Sequence, residues 1–237
     1  AVRDAAQQGV LRNTSLMVPA SAFEEAAEML PEVEGLCIGI HCCLTDEWDN
    51  DRWGPVLGPD KVHSLVQNDG TFFQTTNDLW NHKPDNDEII AELRAQLNLA
   101  RSRGVDAKYM DAHMGYSWFD GLEERLEKLA EEEGILCHTR AHQHVQRLPK
   151  PEGDFADPVE RTLAALAQAE PGTDYLLVTH PGYDEGDLAE MTHGRKAPGV
   201  VARERNWDRL IFMDPRIVEF YKTHDIEPIR YTDLDLD

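Results

Sequence analysis

Short apolar strands alternate with amphipathic helices along this chain, and this alternation limits its fold more than any other feature. The strongest strand signal is Gly35–Leu44, a nearly continuous apolar run typical of a buried parallel strand. The strongest helix signal is Asn86–Arg103, where apolar residues recur on one face and Gly104 ends the pattern. At least five such alternations predict parallel β–α–β units, and therefore an open doubly wound sheet or a (β/α) barrel.

The remaining elements are weaker. Further strands are predicted at Asn13–Val18, Lys108–Met110, Ile135–Cys137, Tyr175–Thr179 and Pro228–Tyr231. Further helices are predicted at Ala1–Gly9, at Ser21–Leu30 after a Ser-x-x-Glu capping box, at Asp120–Glu133, and after Asp157-Pro158 and Asp214-Pro215. The segment Thr45–Pro84 shows no clear pattern, and segments of this length inside a domain are often functional.

Several predicted strands end in residues that can bind a metal or transfer a proton. His41, His113 with Asp111, His138 and His180 lie at or near carboxyl ends. In both candidate architectures these ends form the working face. Imidazoles and a carboxylate that converge there suit a divalent metal such as zinc, with one position left for water. The pattern predicts a metal or acid–base site, although a single histidine taken alone is more often structural or on the surface than a ligand.

The charge balance excludes several classes of partner. The 237 residues include 45 Asp and Glu against 23 Lys and Arg, a formal net charge of −22. This balance argues against binding to nucleic acid or to an anionic membrane surface. No apolar run approaches the roughly 20 residues that span a bilayer, and the chain opens without a basic segment followed by an apolar one, so we expect no signal peptide. The four cysteines form no Cys-x-x-Cys pair. We therefore expect a cytoplasmic protein.

At this point a family resemblance becomes visible. Its segments are Gly9–Val18, Gly39–Thr45, Tyr109–Gly115, Thr179–Tyr183 and Ile229–Leu234. In their order and spacing they resemble the YdjC-like carbohydrate deacetylase family across nearly the whole chain. The resemblance implies a single TIM-like (β/α) barrel domain over residues 1–237, incomplete or distorted. It also implies a divalent metal, zinc or magnesium, and removal of the acetyl group from N-acetylated sugars.

The resemblance further implies roles for individual residues. His41 and His113 match the histidines that bind the metal in the family. His180 matches the histidine of the His-Pro-Gly motif, which is expected near the reacting group as the acid that protonates the leaving amine. Asp111 matches the aspartate before the ligand histidine, and would orient a ligand or serve as the base.

Two departures from the family pattern are expected to matter. Family members usually open with a strand ending in Asn-Ala-Asp-Asp, which supplies a ligand carboxylate and the general base. This chain is expected to begin just after that segment, without the first barrel strand. The family's Asp-Ser-His-x-His is Asp-Ala-His-Met-Gly here, so Gly115 replaces the second histidine. We expect altered substrate contacts as a result.

Aromatic and basic residues near the same loops are candidates for substrate contacts. The rings of Tyr116, Trp118 and Tyr183 suit the apolar face of a sugar, with ordinary packing as the alternative. Arg203 could meet an anionic group of the substrate or pair with a surface acid. The expected partner is an N-acetylated sugar, and the expected assembly is a homodimer.

Three functions remain compatible with the sequence. The first is the metal-dependent deacetylase, in which metal-bound water attacks the N-acetyl carbonyl. The second is a metal hydrolase that uses the same histidines on another ester or a phosphoester. The third is a non-catalytic sugar-binding relative, which the unmatched carboxylate run and Gly115 favour.

Overall fold

The computed structural model describes residues 1–194 and 196–236, which divide into two compact units. The central unit is Asn13–Ala141, and the terminal unit combines Ala1–Arg12 with His142–Asp237. The single domain expected over residues 1–237 stays a prediction. None of the helices in the described part of the chain is long and apolar enough to cross a membrane.

The elements alternate along the chain much as the sequence predicts. The α-helices of the described residues are α1 (Val2–Gln8), α2 (Phe23–Met29), α3 (Thr76–Asn81), α4 (Asn86–Ser102), α5 (Leu122–Glu133), α6 (His138–His142), α7 (Pro158–Leu166), α8 (Val200–Met213) and α9 (Pro215–Thr223). The strands are β1 (Asn13–Leu16), β2 (Cys37–Cys42), β3 (Tyr109–Ala112), β4 (Leu136–Cys137), β5 (Gln146–Arg147) and β6 (Tyr175–Leu176).

A parallel sheet organises the central unit. Its strand order is β1-β2-β3-β4, and every pairing is parallel. These pairings confirm the α/β class with a parallel sheet. The sheet is open, and the TIM-like barrel stays a prediction. The register pairs His41 at the end of β2 with Asp111 at the end of β3. Two predicted site residues therefore lie side by side at one edge of the sheet.

Close packing around β2 fixes this arrangement. Strand β2 is buried along most of its length, and α4 packs against it with a buried apolar face. Gly39 is required at the centre of β2, because a Cβ atom there would lie 2.4 Å from the ring of Tyr109 on β3. Since Tyr109 is itself buried, the two strands approach this closely only with glycine at position 39.

Polar side chains of α4 hold the segment that showed no sequence pattern. Glu92 accepts hydrogen bonds from the backbone N–H groups of Val56 at 2.9 Å and Leu57 at 3.0 Å. Glu88 accepts from both the N–H and the hydroxyl of Ser64, at 2.8 and 2.7 Å. Carboxylates on α4, one fully buried at Glu92 and one partly exposed at Glu88, thus take the place of strand pairing and order an irregular segment.

The terminal unit contains most of the corrections to the predicted elements. Strand β6 ends at Leu176 rather than at residue 179. The predicted strand Pro228–Tyr231 is wrong: residues Tyr231–Asp233 form a 3₁₀ turn in which Asp233 accepts from the N–H of Arg230. Helix α8 was not predicted. The predicted Asp caps of α7 and α9 are confirmed at Asp157 and Asp214.

One capping prediction in the central unit is also wrong. The Ser-x-x-Glu sequence at Ser21 makes no capping hydrogen bond, and α2 begins at Phe23. The hydroxyl of Ser21 instead donates to Asp51 at 3.0 Å. A partner distant in sequence has therefore replaced the local one.

Replacing Glu92 by alanine is expected to destabilise the protein by about 2–4 kcal/mol, because three donors that now bond to its carboxylate lose their acceptor. Chemical denaturation measures the loss. Asn98→Ala, at an exposed position of the same helix, is the control and should change stability little. An equal effect of both substitutions would contradict the anchoring role of Glu92.

Candidate active site

Adjacent strands of the central sheet each contribute one side chain to a hydrogen-bonded group. Asp111 Oδ1 lies 2.6 Å from Nδ1 of His41, its register partner on β2. The hydroxyl of Ser15 on β1 donates to the other carboxylate oxygen, Oδ2, at 2.7 Å. Both oxygens of Asp111 are therefore engaged within the sheet edge.

These contacts determine the protonation of Asp111 and the tautomer of His41. Burial by itself would raise the pKa of Asp111, but hydrogen bonds from His41 and Ser15 outweigh it and the pKa is lowered. Asp111 is then an ionised carboxylate at neutral pH and can only accept. The proton of the His41 ring consequently lies on Nδ1, which leaves a lone pair on Nε2.

His113 lies directly beyond β3 and faces His41. Its backbone N–H donates to the carbonyl of Cys42 at 3.0 Å, which holds the turn against the end of β2. Nδ1 of His113 lies 3.1 Å from Nε2 of His41, and the two rings are nearly perpendicular at 73°. On the other side of the ring, Nε2 lies 2.8 Å from Oε2 of Glu47.

The two facing nitrogens form a site suited to a cation. As a carboxylate, Glu47 only accepts, so the proton of His113 lies on Nε2 and Nδ1 carries a lone pair. When both rings are neutral in these tautomers, the two lone pairs face each other at 3.1 Å and repel, and a metal ion or a proton between them would remove the repulsion. Two nitrogens bound at 2.0–2.1 Å to one tetrahedral zinc ion would lie about 3.3 Å apart.

The donor set fits part of a metal site. Histidines that bind metals commonly donate their outer N–H to a carboxylate, as His41 does to Asp111 and His113 does to Glu47. Among residues 1–194 and 196–236, no group of three or more His, Cys, Asp or Glu side chains is arranged to hold an ion. The pair thus supplies two ligands, against the three protein ligands usual for catalytic zinc.

The turn after His113 changes the expectation for Tyr116. This side chain has 0% exposure, and its hydroxyl donates to the carbonyl of Cys42 at 3.0 Å. A fully buried ring has no surface to offer a sugar, so the substrate contact predicted for Tyr116 is not supported. Trp118, by contrast, is 51% exposed and packs beside Trp80, with ring centroids 5.4 Å apart.

Gly115 lies in the same turn, at the position where the family usually has a second histidine. Its φ of +65° is in the left-handed region that favours glycine. Nothing lies within 4 Å of the position its Cβ would take, so backbone conformation rather than crowding favours glycine here. This position therefore provides a left-handed backbone conformation and no imidazole side chain.

His138 is buried at the start of α6, where its charge helps to lower the pKa of Asp111. This is a secondary contribution beside those of His41 and Ser15. The position near the end of a strand was predicted correctly, and the residue also opens a short helix.

The His-Pro-Gly segment lies in the terminal unit, where α8 holds it. Asp208 Oδ2 accepts the backbone N–H of His180 at 3.0 Å and lies 3.9 Å from Nδ1 of its ring. The N–H of Gly182 donates to the carbonyl of Arg205 at 2.9 Å. The side chain of His180 is 56% exposed, so the loop is fixed while the imidazole remains accessible.

The other two predicted substrate residues lie on the same unit. The hydroxyl of Tyr183 donates to Asp4, and the guanidinium of Arg209 lies 4.8 Å from the centre of its ring. Arg203 is an exposed residue near the start of α8. The sugar contacts expected for Tyr183 and Arg203 stay predictions.

Sequence reasoning missed two members of the group at the sheet edge. Ser15 could have been noticed as a polar residue in the predicted strand Asn13–Val18, three positions before its end. Glu47 carried no signal, since it lies in a segment without periodicity and its partner is 66 residues away.

The fold and this sheet edge define an α/β protein with a candidate hydrolytic centre, and comparison with known proteins gives its family. The YdjC-like protein family matches residues 1–223, and the chain belongs to this family. A carbohydrate deacetylase of Listeria monocytogenes serotype 4a (strain HCC23) is 30% identical, over 78% of this chain and 76% of the relative. Carbohydrate deacetylase 2 of Listeria innocua serovar 6a is 26% identical, over 98% and 90% respectively.

A solved structure supports the fold. It is a protein of Enterococcus faecalis V583 described as a "putative cellobiose-phosphate cleavage protein". The TM-score is 0.77 at 20% identity, with 98% of this chain and 90% of that chain covered. At this identity the likeness establishes the shared fold alone.

Substituting Asp208 by alanine is expected to loosen the His-Pro-Gly loop, because the N–H of His180 loses its acceptor. The loss of one such bond, worth about 1 kcal/mol, should speed amide exchange at His180 roughly fivefold in hydrogen-exchange measurements. Glu219→Ala removes the same charge from an exposed position on α9 and should leave this amide unchanged. Unaltered exchange in Asp208→Ala would contradict the proposed anchoring of the loop.

Proposed function

We propose that this protein is a carbohydrate deacetylase that removes the acetyl group from an N-acetylated sugar, with a divalent metal bound by His41 and His113. The observation that carries the proposal is the pair of facing imidazole nitrogens, each fixed by a carboxylate on its outer side. Membership of the YdjC-like family supports it, since relatives in that family are named carbohydrate deacetylases.

Zinc suits the two imidazoles better than magnesium, which prefers oxygen ligands. When bound, such an ion supplies a nucleophilic hydroxide near neutral pH and polarises the carbonyl under attack. The contribution of the chain is to present Nε2 of His41 and Nδ1 of His113 as lone pairs in a fixed orientation. Asp111 has both oxygens engaged, and this favours its role in orienting His41 over that of general base.

His180 is proposed as the general acid. Its assignment rests on the match of its His-Pro-Gly segment, and the support from the structure is an accessible ring on a backbone held by Asp208. An imidazolium in that role would donate its proton to the departing amine nitrogen as the bond between carbon and nitrogen breaks.

The sugar is proposed to contact exposed aromatic surface. Trp118 and Trp80 together present ring faces of the kind that pack against the apolar face of a pyranose. Tyr183 and Arg203 remain proposed contacts on the terminal unit. A cytoplasmic location and a homodimer likewise remain predictions.

One observation keeps a second function in view. Because no third protein ligand is grouped with the histidine pair in the described residues, a sugar-binding protein without catalysis would show the same geometry. This alternative shares the carbohydrate partner with the first proposal and differs from it in chemistry.

The proposal is tested by acetate release from N-acetylglucosamine oligomers, measured with zinc-loaded and chelator-treated protein. We expect release only from the loaded protein. A His41→Ala/His113→Ala variant should lose both bound metal and acetate release, because the two metal-binding nitrogens are removed. His63→Ala/His144→Ala removes two exposed histidines and should retain both properties.

Retention of the metal by the His41→Ala/His113→Ala variant would contradict the site. Zinc-loaded protein that binds N-acetylated sugars but releases no acetate would favour the sugar-binding alternative. Release of phosphate from generic phosphoesters, in place of acetate, would indicate a different metal hydrolase.

A further inference from the structure

Glu47 is a largely buried carboxylate that neither its sequence context nor the proposed reaction assigns to a role. Its side chain is 11% exposed, and Oε2 lies 2.8 Å from Nε2 of His113, whose side chain is 8% exposed. We propose that Glu47 is a positioning residue that fixes His113 in the tautomer able to bind the metal. This inference rests on the proposed function of the histidine pair.

The role follows from the position of the ring proton, because a neutral imidazole carries one proton on either of its two nitrogens. If the proton of His113 lay on Nδ1, it would point at Nε2 of His41, only 3.1 Å away. The resulting hydrogen bond between the two histidines would occupy both nitrogens that face the metal position. A carboxylate at Nε2 prevents this outcome, because it can only accept and therefore keeps the proton on the outer side.

The backbone around Glu47 is held firmly enough for such a task. The neighbouring Asp46 is fully buried, and its backbone N–H donates to the carbonyl of Phe73 at 2.9 Å. Its carboxylate accepts from the N–H of Trp53 at 2.7 Å and from that of Trp48 at 3.3 Å. These bonds hold the backbone on both sides of Glu47, and they fix the position from which its side chain reaches His113.

Asp111 plays the same part for His41, but from a different kind of element. Asp111 is the strand neighbour of its histidine, whereas Glu47 reaches His113 from the irregular segment after β2. That segment thus acquires a function, because it supplies the second orienting carboxylate. The oxygen of Glu47 that contacts His113 lies at the outer nitrogen of the ring, which favours positioning over direct metal binding.

The test is the zinc affinity of the full chain, measured by competition with a chromophoric chelator. Glu47→Ala should weaken zinc binding by about 10–100-fold, the range typical for loss of such an outer partner. Glu47→Gln should lose less, because its amide oxygen can still accept from Nε2. Glu34→Ala removes the same charge from the exposed turn before β2 and should bind zinc as the unmodified protein does.

A second readout separates positioning from simple structural support. Nitrogen-15 NMR of the histidine rings, in metal-free and zinc-loaded protein, reports which ring nitrogen carries the proton. We expect His113 to be protonated at Nε2 in the unmodified protein, and to show protonation at Nδ1 in metal-free Glu47→Ala. Glu47→Met, which has a similar length and no carboxylate acceptor, allows the same comparison if the alanine variant does not fold.

Unchanged zinc affinity in both Glu47 variants, or a His113 tautomer that does not depend on Glu47, would overturn the inference. Failure of the proposed function gives a different result. Protein that binds zinc and releases no acetate would leave the role of Glu47 intact, because affinity and tautomer are both measured without catalysis.

Discussion

The hydrogen bond between His41 and Asp111 joins the carboxyl ends of two neighbouring parallel strands, and the geometry of the candidate site depends on it. It fixes the proton on the outer nitrogen of His41 and turns the lone pair of the other nitrogen toward His113. The bond exists because the register of β2 and β3 places the two residues opposite each other. That register in turn requires the close contact of Gly39 with Tyr109.

Around this bond the molecule builds a chain of alternating donors and acceptors. One half consists of Ser15, Asp111 and His41, and the other half consists of Glu47 and His113. The two halves meet at a pair of nitrogens that cannot bond to each other while both carboxylates are ionised and both rings are neutral. Local hydrogen bonding thus produces the arrangement proposed to bind a cation, from residues that singly would be ordinary polar groups.

A good part of this structure can be predicted from the sequence, through the periodicity of apolar residues and the residue types at strand ends. The apolar run of β2 and the amphipathic face of α4 are visible in the sequence because each element buries residues at regular spacing along a continuous stretch of chain. The placement of His41 and Asp111 at one edge follows from parallel topology alone. The Asp-Pro caps of α7 and α9 are likewise local, which is why they were predicted correctly.

The remaining features depend on partners that are distant in sequence. Glu47, the anchoring of residues 56 and 57 by Glu92, and the burial of Tyr116 arise from tertiary contacts that leave no local pattern. Two wrong predictions show the same effect. The strand predicted at residues 228–231 is replaced by a turn at Tyr231–Asp233, and the hydroxyl of Ser21 bonds to Asp51 instead of capping α2.

Whether the two histidines bind one metal ion is the central claim, and anomalous diffraction from zinc-loaded crystals tests it most directly. The account predicts a single zinc peak at about 2.0–2.1 Å from both Nε2 of His41 and Nδ1 of His113. The absence of a peak at this pair, or a zinc ion bound through Nε2 of His113 and Glu47, would contradict it.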